Sequence, residues 1–565
     1  MNQLIECVPN FSEGRDMQLI NRITAEIEKT EGVRLLDVDP GKATNRTVVT
    51  FVGTPDAVCD AAFRAAKKAS ELIDMSRHRG VHPRFGATDV CPLVPVANIT
   101  MDEVVVYARK LARRIGDELH IPVYCYENAA FEEKRRNLAS CRQGEYEGLS
   151  KKMAAADWKP DFGPDVWDSR IAFTGATAVG ARNFLIAYNV NLNTTSTRRA
   201  NAVAYDIREK GRIKKEGDPV TGKIKKDAQG GPVYEPGLLK AVKAIGWYID
   251  EYGIAQISIN LTDLSVSPLH KVFDTACERA GARGLRVTGS ELVGMVPLKA
   301  MLEAGKYFLH KQHRSSGIPE KEIIKIAVKS LGLDDLAPFE PEKKIIEYLL
   351  KDTSQKKLVD MDLSEFANET ASESPAPGGG SISAYLGALG VSLATMVANL
   401  SSHKAGWDSR WKEFSDHAEK GMAIQKELLL LVDEDTNAFN RVMEALGMPK
   451  GSDQEKALRI NAIQEATRYA TEVPLQVMKR TCDAFELIKA MAGTGNPNSV
   501  SDAGVGALCA RSAVMGAFLN VKINAAGLED RKFAGRILAE GGELEALAIR
   551  YEEEILGIVN GKIGS

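Results

Sequence analysis

Aromatic residues make up only 6% of this 565-residue chain, too few for the stacking platforms on which single-stranded nucleic acids bind. A charge of one sign is missing too. Lys and Arg number 73 against 76 Asp and Glu, leaving a net −3, which excludes the basic footprint of a nucleic-acid binder. Cysteine is sparse: Cys7, Cys59, Cys91, Cys125, Cys141, Cys277, Cys482 and Cys509 form no C-x-x-C pair and no Cys/His ligand spacing. A structural zinc is therefore not expected, and small buried thiols in a reducing compartment are. No apolar run is expected to reach membrane-spanning length. The chain opens on the strand-like Leu4–Val8 without a basic-then-apolar leader. These absences point to a cytoplasmic protein that engages neither membrane nor nucleic acid.

What is present is an ordinary globular composition, 44% hydrophobic and 26% charged, spread over a length that implies three or four domains. Residues 1 to about 325 alternate strand-like and helix-like patterns, as in Val48–Gly53 followed by the proline-opened helix Pro55–Ile73. A first α/β subdomain is expected over 1–180 and a second over 181–326. Between strands of the second, Arg208–Pro236 is rich in Lys, Gly and Pro. It reads either as a solvated or disordered excursion or as a basic arm for a polyanionic substrate tail. Residues 327–360 read as a linker. From 361 to 565 alanine and leucine dominate, apolar positions recur at helical spacing, and an all-α bundle is expected. Its helices are placed at about Trp411–Leu446, Gln454–Val473, Pro474–Ala492, Ser501–Ala526 and Asp530–Val559.

Two features carry chemistry. The first is Met75–Val96, MSRHRGVHPRFGATDVCPLVPV, which sets His78, His82, Arg77, Arg79 and Arg84 in a glycine-flanked loop ahead of a strand. Imidazole suits proton transfer near neutrality, and guanidinium suits carboxylates. His82 is either an acid–base group or a loop histidine that caps backbone. The second is Asp435, which falls within the helical stripe Leu428, Leu431, Val432, Phe439, Val442 and Leu446, while Asp433 and Glu434 fall off it. A carboxyl on an apolar face is costly unless paired or functional, and burial raises its pKa toward that of a general acid. A structural acid bonded to a neighbouring helix is the competing reading.

Several motifs in series point to one family. LIECVPNFSEGRD, LLDVDPGKATNRTVVTFVG (Leu35–Gly53) and DMSRHRGVHPRFGATDVCP resemble the formiminotransferase family. SPAPGGGSISA (Ser374–Ala384) and LVDEDTNAF (Leu431–Phe439) resemble the cyclodeaminase half of formiminotransferase-cyclodeaminase. Both sets stand in one chain in the family's order, so the resemblance spans nearly all of it. It implies two transferase subdomains at 1–180 and 181–326 and a cyclodeaminase at 361–565. The implied reactions are transfer of the formimino group from N-formimino-L-glutamate to tetrahydrofolate, then conversion of 5-formiminotetrahydrofolate to 5,10-methenyltetrahydrofolate and ammonia.

The same resemblance assigns roles. His82 occupies the catalytic histidine of the HPRxGAxDV pattern, and Asp435 the second acid of LVDxDxxAF. Asp39 is either the carboxylate that fixes the histidine's tautomer or a turn residue before Pro40-Gly41. If the segment is a strand, Asp37 shares its face. Arg46, Arg77 and Arg84 are candidates for the substrate carboxylates, against plain surface pairing. Pro160–Phe184 resembles the family's folate-binding segment, with Gly163, Pro164 and Gly175 near the pterin and Trp167 or Phe173 on its face; an ordinary interdomain loop is the alternative. PAPGGGS (Pro375–Ser381) is an anion cradle or a helix-entry turn, and Asp502 a helix cap in the loop Gly495–Ala507. Neither loop has nucleotide-binding spacing. Tetrahydrofolate is expected as co-substrate, with or without a polyglutamate tail, and no metal or nucleotide. A homo-oligomer is expected. The rival readings make the helical domain a methenyltetrahydrofolate cyclohydrolase or a non-catalytic folate-binding or oligomerising module.

Overall fold

The computed structural model describes residues 3–41, 45–80, 83–217, 222–350 and 357–564. Contacts divide the chain into two compact units, Met1–Ala300 with Leu331–Lys351, and Met301–Ser330 with Asp352–Ser565. The expected second subdomain ran to residue 326. By contacts, residues 301–330 instead pack with the helical bundle: Ser316 N donates to Ser415 Oγ at 3.1 Å, and Asn399 Nδ2 to Gly317 O at 2.8 Å.

The first unit is built on a seven-stranded mixed sheet. Its strands are β1 (Leu4–Cys7), β2 (Asn10–Phe11), β3 (Val33–Gly41), β4 (Arg46–Gly53), β5 (Thr88–Ala97), β6 (Val123–Glu127) and β7 (Thr177–Ala181). β1, β2 and β3 pair antiparallel with β4, while β7 runs parallel between β5 and β6. Strand alternation sorts the side chains by face. Ile5, Cys7, Phe51, Cys91, Leu93 and Cys125 are buried under α1 (Met17–Glu28), α2 (Pro55–Leu72) and α3 (Met101–Leu119). α2 starts with Pro55 in its first turn, where the missing N–H costs nothing. α3 is opened by a capping box between Thr100 and Glu103. On the opposite face Val90, Tyr124, Tyr126 and Ala178 pack at one end with α4 (Leu138–Cys141), α5 (Glu145–Ala154) and α6 (Ser169–Thr174). The rest of that face opens on a cavity.

Past β8 (Ile186–Leu192) and α7 (Thr197–Ile207), the Lys-rich stretch holds β9 (Arg212–Ile213), β10 (Lys215–Glu216), β11 (Lys223–Ile224) and β12 (Tyr234–Glu235). Of the expected solvated or disordered excursion, the described residues are mostly exposed but ordered, pairing as β9 with β12 and β10 with β11. One anchor is Asp206 on α7, which pairs with Arg212 of this ladder and with Arg283 at 2.6 Å. β13 (Val242–Ile249), β14 (Ile254–Leu261) and β15 (Val287–Val293) complete an antiparallel sheet of order β13-β14-β8-β15, with α7 and α8 (Leu269–Gly281) packed on it. β7 and β13 escape a sequence reading. β7 is TAVGA, with little β-branched signal, and β13 is interrupted by Gly246, where a Cβ would lie 2.2 Å from Asn201 N.

The second unit takes in most of α9 (Leu298–Lys311) and α10 (Glu320–Leu331). After the short α11 (Pro341–Lys344) and α12 (Ile346–Leu349) of the first unit, it continues as α13 (Leu363–Thr370), α14 (Gly379–Ser402), α15 (Trp411–Gly447), α16 (Asp453–Cys482), α17 (Phe485–Thr494), α18 (Val500–Ala526) and α19 (Arg531–Ile563). α14 and α18 cross closely through small residues: a Cβ on Gly390 would lie 2.8 Å from Gly506 O. The expected helix break at Pro474 is absent, and α16 runs through it. Proline leaves the carbonyl four residues back without its N–H; that carbonyl, Ala470 O, accepts from Asn524 Nδ2 at 2.7 Å. The expectation that no apolar run reaches spanning length is also corrected. Gly379–Ser402 and Pro497–Ala526 are long and apolar enough to cross a membrane by length and composition, yet they are the central helices of this bundle, 61% and 50% buried over their apolar windows.

Candidate functional site

The loop that carries the histidines is pinned at both ends. Beyond it, Ala176 N donates to Phe85 O at 2.9 Å and Ala87 N to Thr174 O at 2.7 Å, which sets Gly86 against Gly175 in an isolated bridge. A Cβ on Gly86 would lie 1.9 Å from Ala176 O, so only glycine fits. At its start, His78 Nε2 donates to Asn45 O at 2.9 Å and its Nδ1 accepts from Arg84 Nε at 3.3 Å. One ring nitrogen donating and the other accepting describes a neutral imidazole. Burial, with the nearby Arg84 charge, holds its pKa below the usual histidine value. His78 is thus a clamp. His82 lies outside the described residues; Pro83, its neighbour, lines the cavity beneath.

That cavity has a volume of about 1080 Å³, at the top of the range of about 300–1,000 Å³ for small-molecule sites, which leaves room for two co-substrates. One wall is the open face of the first sheet. The other includes Lys243, Asn260, Ala187 and Val293, which sit in one cross-strand row of the second sheet. Asp39 and Arg46 both line it, and so does Asp37, whose carboxyl is held above its ordinary value by burial and by Asp39. Arg46 approaches Asp89 Oδ2 at 3.8 Å. Burial lowers the Arg46 pKa to about 10, against the opposing pull of Asp89. Asp89 is fully buried and also takes Arg142 Nη2 at 2.5 Å. Arg142, Arg182 and Lys243 face the same space.

The other sequence candidates lie elsewhere. Arg77 has a side chain 88% exposed and pairs with Asp74 at 3.3 Å. Arg84 is buried and engaged by Glu147 at 2.7 Å and Glu145 at 3.2 Å; its hydrogen bond pushes Glu147 down to about 2. Gly163, at φ +81°, backs onto the end of α3 and the turn after it, where a Cβ would lie 2.3 Å from Ile121 O, and Gly175, at φ +66°, backs onto Phe85 O. Both glycines are close approaches of backbone to backbone, and neither they nor Pro164 line the cavity. Trp167 packs beside Tyr146 at 6.2 Å between ring centroids, and Phe173 O accepts from Met75 N at 2.8 Å. Only the end of that segment, Arg182 to Phe184, reaches the cavity.

Sequence reasoning missed Glu6, Arg142, Arg182 and Lys243. Glu6 is 3% exposed on β1 and lines the cavity. Burial raises its carboxyl to about 7, with Arg182 opposing. Alternation around it (Ile5 and Cys7 inward, Glu6 and Val8 the other way) was readable; that the second face looks into a cavity was not.

In the helical unit, Asp435 sits on α15 where expected. Leu428 and Val432 before it are buried. Beyond it the inward positions pass to Ala438 and Ala445, while Phe439 and Leu446 are 37% and 43% exposed, so the expected stripe leaves the core. Asp435 Oδ2 accepts from Ser381 N at 2.8 Å and Ser381 Oγ at 3.0 Å. PAPGGGS is thus the entry to α14 and presents its Ser381 to this carboxylate; a Cβ on Gly380 would lie 2.0 Å from Asp435 Oδ1. Burial raises the Asp435 pKa, and the two Ser381 bonds hold part of that rise back. Asp433, off the stripe, accepts instead from Leu358 N at 2.8 Å. Asp502 lies in the first turn of α18, not at its cap. Among the described residues no group of three or more His, Cys, Asp or Glu is placed to hold a metal.

Comparison with known proteins covers both units. Residues 4–182 match the family model for the formiminotransferase domain, N-terminal subdomain; residues 187–351 that for the formiminotransferase domain; and residues 362–542 that for formiminotransferase-cyclodeaminase. The chain is similar to a formimidoyltransferase-cyclodeaminase of Gallus gallus, 42% identical over 562 residues, 98% of this chain and 99% of the relative. It is similar to a glutamate formimidoyltransferase of Streptococcus pyogenes serotype M1, 39% identical over 310 residues, 55% of this chain and 94% of that one. A methenyltetrahydrofolate cyclohydrolase of Methylorubrum extorquens is 39% identical over 198 residues, 35% of this chain and 95% of that one.

Proposed function

The chain belongs to the formiminotransferase-cyclodeaminase family, and we propose that it carries out both reactions of that name in the breakdown of histidine. In the cavity of the first unit, N5 of tetrahydrofolate attacks the formimino carbon of N-formimino-L-glutamate. A tetrahedral intermediate forms, its bond to the glutamate nitrogen breaks, and that nitrogen leaves protonated. His82 takes the proton from the attacking amine and returns it to the leaving one. Arg46, Arg142, Arg182 and Lys243, which line the cavity, supply the charge that glutamate's two carboxylates need. Holding both co-substrates in one space removes much of the entropic barrier.

In the second unit, N10 of 5-formiminotetrahydrofolate closes onto the formimino carbon and ammonia departs, leaving 5,10-methenyltetrahydrofolate. The half-buried Asp435 gives its proton to the departing nitrogen of the protonated formimino group and regains one from N10. The observation that carries this half is the Asp435 carboxyl itself, raised in pKa by burial yet oriented by two bonds from Ser381. The similarity to a cyclohydrolase supports a second reading, in which the helical unit hydrolyses the methenyl bridge. Purified protein supplied with 5-formiminotetrahydrofolate decides between them. Stoichiometric ammonia with the rise of methenyl absorbance supports cyclodeamination; no ammonia from an enzyme that still transfers the formimino group overturns it.

Tetrahydrofolate is the co-substrate in this reading, free or with a polyglutamate tail. We place the enzyme in the cytoplasm, a setting that suits its eight free thiols. We also propose a homo-oligomer formed through the helical unit, because α18 leaves Leu519 and Ile523 65% and 72% exposed and α15 leaves Met443 51% exposed. Large apolar groups left exposed favour association. Sedimentation of the purified protein tests this, and a monomer at micromolar concentration rejects it.

A further inference from the structure

We propose that Glu6 is a specificity-determining carboxylate of the transferase cavity, binding the 2-amino and N3–H edge of the reduced pterin. The inference rests on the transferase reading above and adds to it a named recognition contact.

Glu6 is 3% exposed and lies on the cavity face of β1. Its cross-strand partners are Val52 on β4 and Val94 on β5, both fully buried. No hydrogen bond from the described residues reaches its carboxyl. The nearest compensating charge is Arg182, whose Nη1 is turned to Asn183 O at 3.1 Å. A carboxyl desolvated between two valines without a donor is costly. The structure tolerates that cost at a position open only to the cavity. Burial accordingly holds its pKa near 7.

An orphan carboxylate selects a ligand that brings donors. N-formiminoglutamate brings mainly acceptors, its two carboxylates, and those suit the guanidinium groups along the same cavity. The reduced pterin brings two parallel N–H donors, the 2-amino group and N3–H, spaced for the two oxygens of one carboxylate. The surroundings suit a flat ring as well. Val8, just past β1, with Val48 on β4 and Val90 and Pro92 on β5, lines the cavity with Glu6, an apolar bed for the face of a bicycle.

The test is binding to the full-length protein by calorimetry, with tetrahydrofolate and with its 2-desamino analogue, for wild type and Glu6→Gln. Wild type is expected to prefer tetrahydrofolate by about 10- to 100-fold, the size of a buried hydrogen bond to a charged group. Glu6→Gln should bind tetrahydrofolate at least about tenfold more weakly, bring the ratio of the two ligands close to one, and leave N-formiminoglutamate affinity unchanged. A wild-type ratio near one overturns the proposal without need of any variant. So does a Glu6→Gln protein that keeps the wild-type ratio, or one that loses N-formiminoglutamate affinity instead, because the carboxylate then serves the formimino group. Failure of wild type to bind tetrahydrofolate at all, by contrast, would remove the transferase reading itself.

Discussion

The two units place a desolvated carboxyl in opposite ways. In the helical unit Asp435 is positioned by one helix and one turn: α15 carries it inward, and Ser381 at the start of α14 bonds it. In the sheet unit the cavity is assembled from distant segments. Glu6, Arg46, Tyr126, Arg182 and Lys243 come from separate stretches of the chain and meet only because strand registers hold. A site of the first kind should fail locally when altered, with its fold intact. A site of the second kind should fail together with the fold that aligns it.

The largest effect expected from this contrast is at Gly86. Its missing Cβ admits Ala176 O, and carbonyl and glycine are both backbone, so neither can rotate away. Gly86→Ala should cost about 3 kcal/mol, the upper end of overpacking penalties, and abolish formimino transfer. Ammonia release from supplied 5-formiminotetrahydrofolate should persist. Denaturant unfolding and both assays on one preparation check this; a Gly86→Ala protein that transfers normally would show the sheet unit to be far more tolerant than its geometry implies.

Next in size is Asp435→Asn, the local counterpart. The shape is kept and the proton is lost, so the cyclodeaminase step should fall by about 10²-fold or more, with transfer untouched. The sign of the stability change is fixed by the raised pKa. Asp435 is harder to ionise in the folded than in the unfolded chain, so the fold loses stability from Asp435 as pH rises above the unfolded-state value. Asn escapes that loss. Its melting temperature should equal or exceed wild type at neutral pH and lose the advantage in acid. Full ammonia release by this variant makes Asp435 a strut.

The contrast also explains what could be read from the sequence. Asp435 was legible because helical periodicity is local: four residues on either side say which way the side chain faces. The same logic failed only where the stripe ran past the bundle, at Phe439 and Leu446. Strand alternation puts Glu6 and Val8 on one face but cannot say what covers that face, because its covering strands, β13 and β14, lie more than two hundred residues on. Arg77 and Arg84 drew notice as cations in a motif, yet one is on the surface and the other is consumed by Glu145 and Glu147. Asp39 and Arg46 were found because the motif that holds them forms a strand pair on the cavity wall. Gly163 and Gly175 were expected near the pterin, but what approaches them is backbone, from the segment just past α3 and from the histidine loop, and neither lines the cavity.

A smaller effect is expected at Ser381. Ser381→Ala removes the 3.0 Å hydroxyl bond to Asp435 and keeps the 2.8 Å amide bond. Losing one such bond corresponds to about five- to tenfold in rate. Both Ser381 bonds lower the Asp435 pKa, so removing one raises it. An acid must be protonated to act; hence the alkaline limb of the pH–rate profile should move upward while the rate falls. A drop in rate with no movement of that limb would assign Ser381 to packing alone.

The smallest effect tests whether the helical unit repairs its defects locally. Pro474 deprives Ala470 O of its helical donor, and Asn524 from α18 supplies one at 2.7 Å. If this is compensation, Asn524→Ala should cost about 1 kcal/mol in the wild-type background, where a half-buried carbonyl is left bare. In the Pro474→Ala background the restored N–H can take the same carbonyl, and Asn524→Ala should then cost less than half as much. The difference is the coupling energy of a double-mutant cycle. Chemical denaturation of the four proteins measures it, with both activities unchanged because neither residue faces Asp435. Equal costs in the two backgrounds would mean that Asn524 packs rather than repairs, and that α16 tolerates its proline through the bundle as a whole, which would bring the helical unit closer to the distributed construction of the sheet unit.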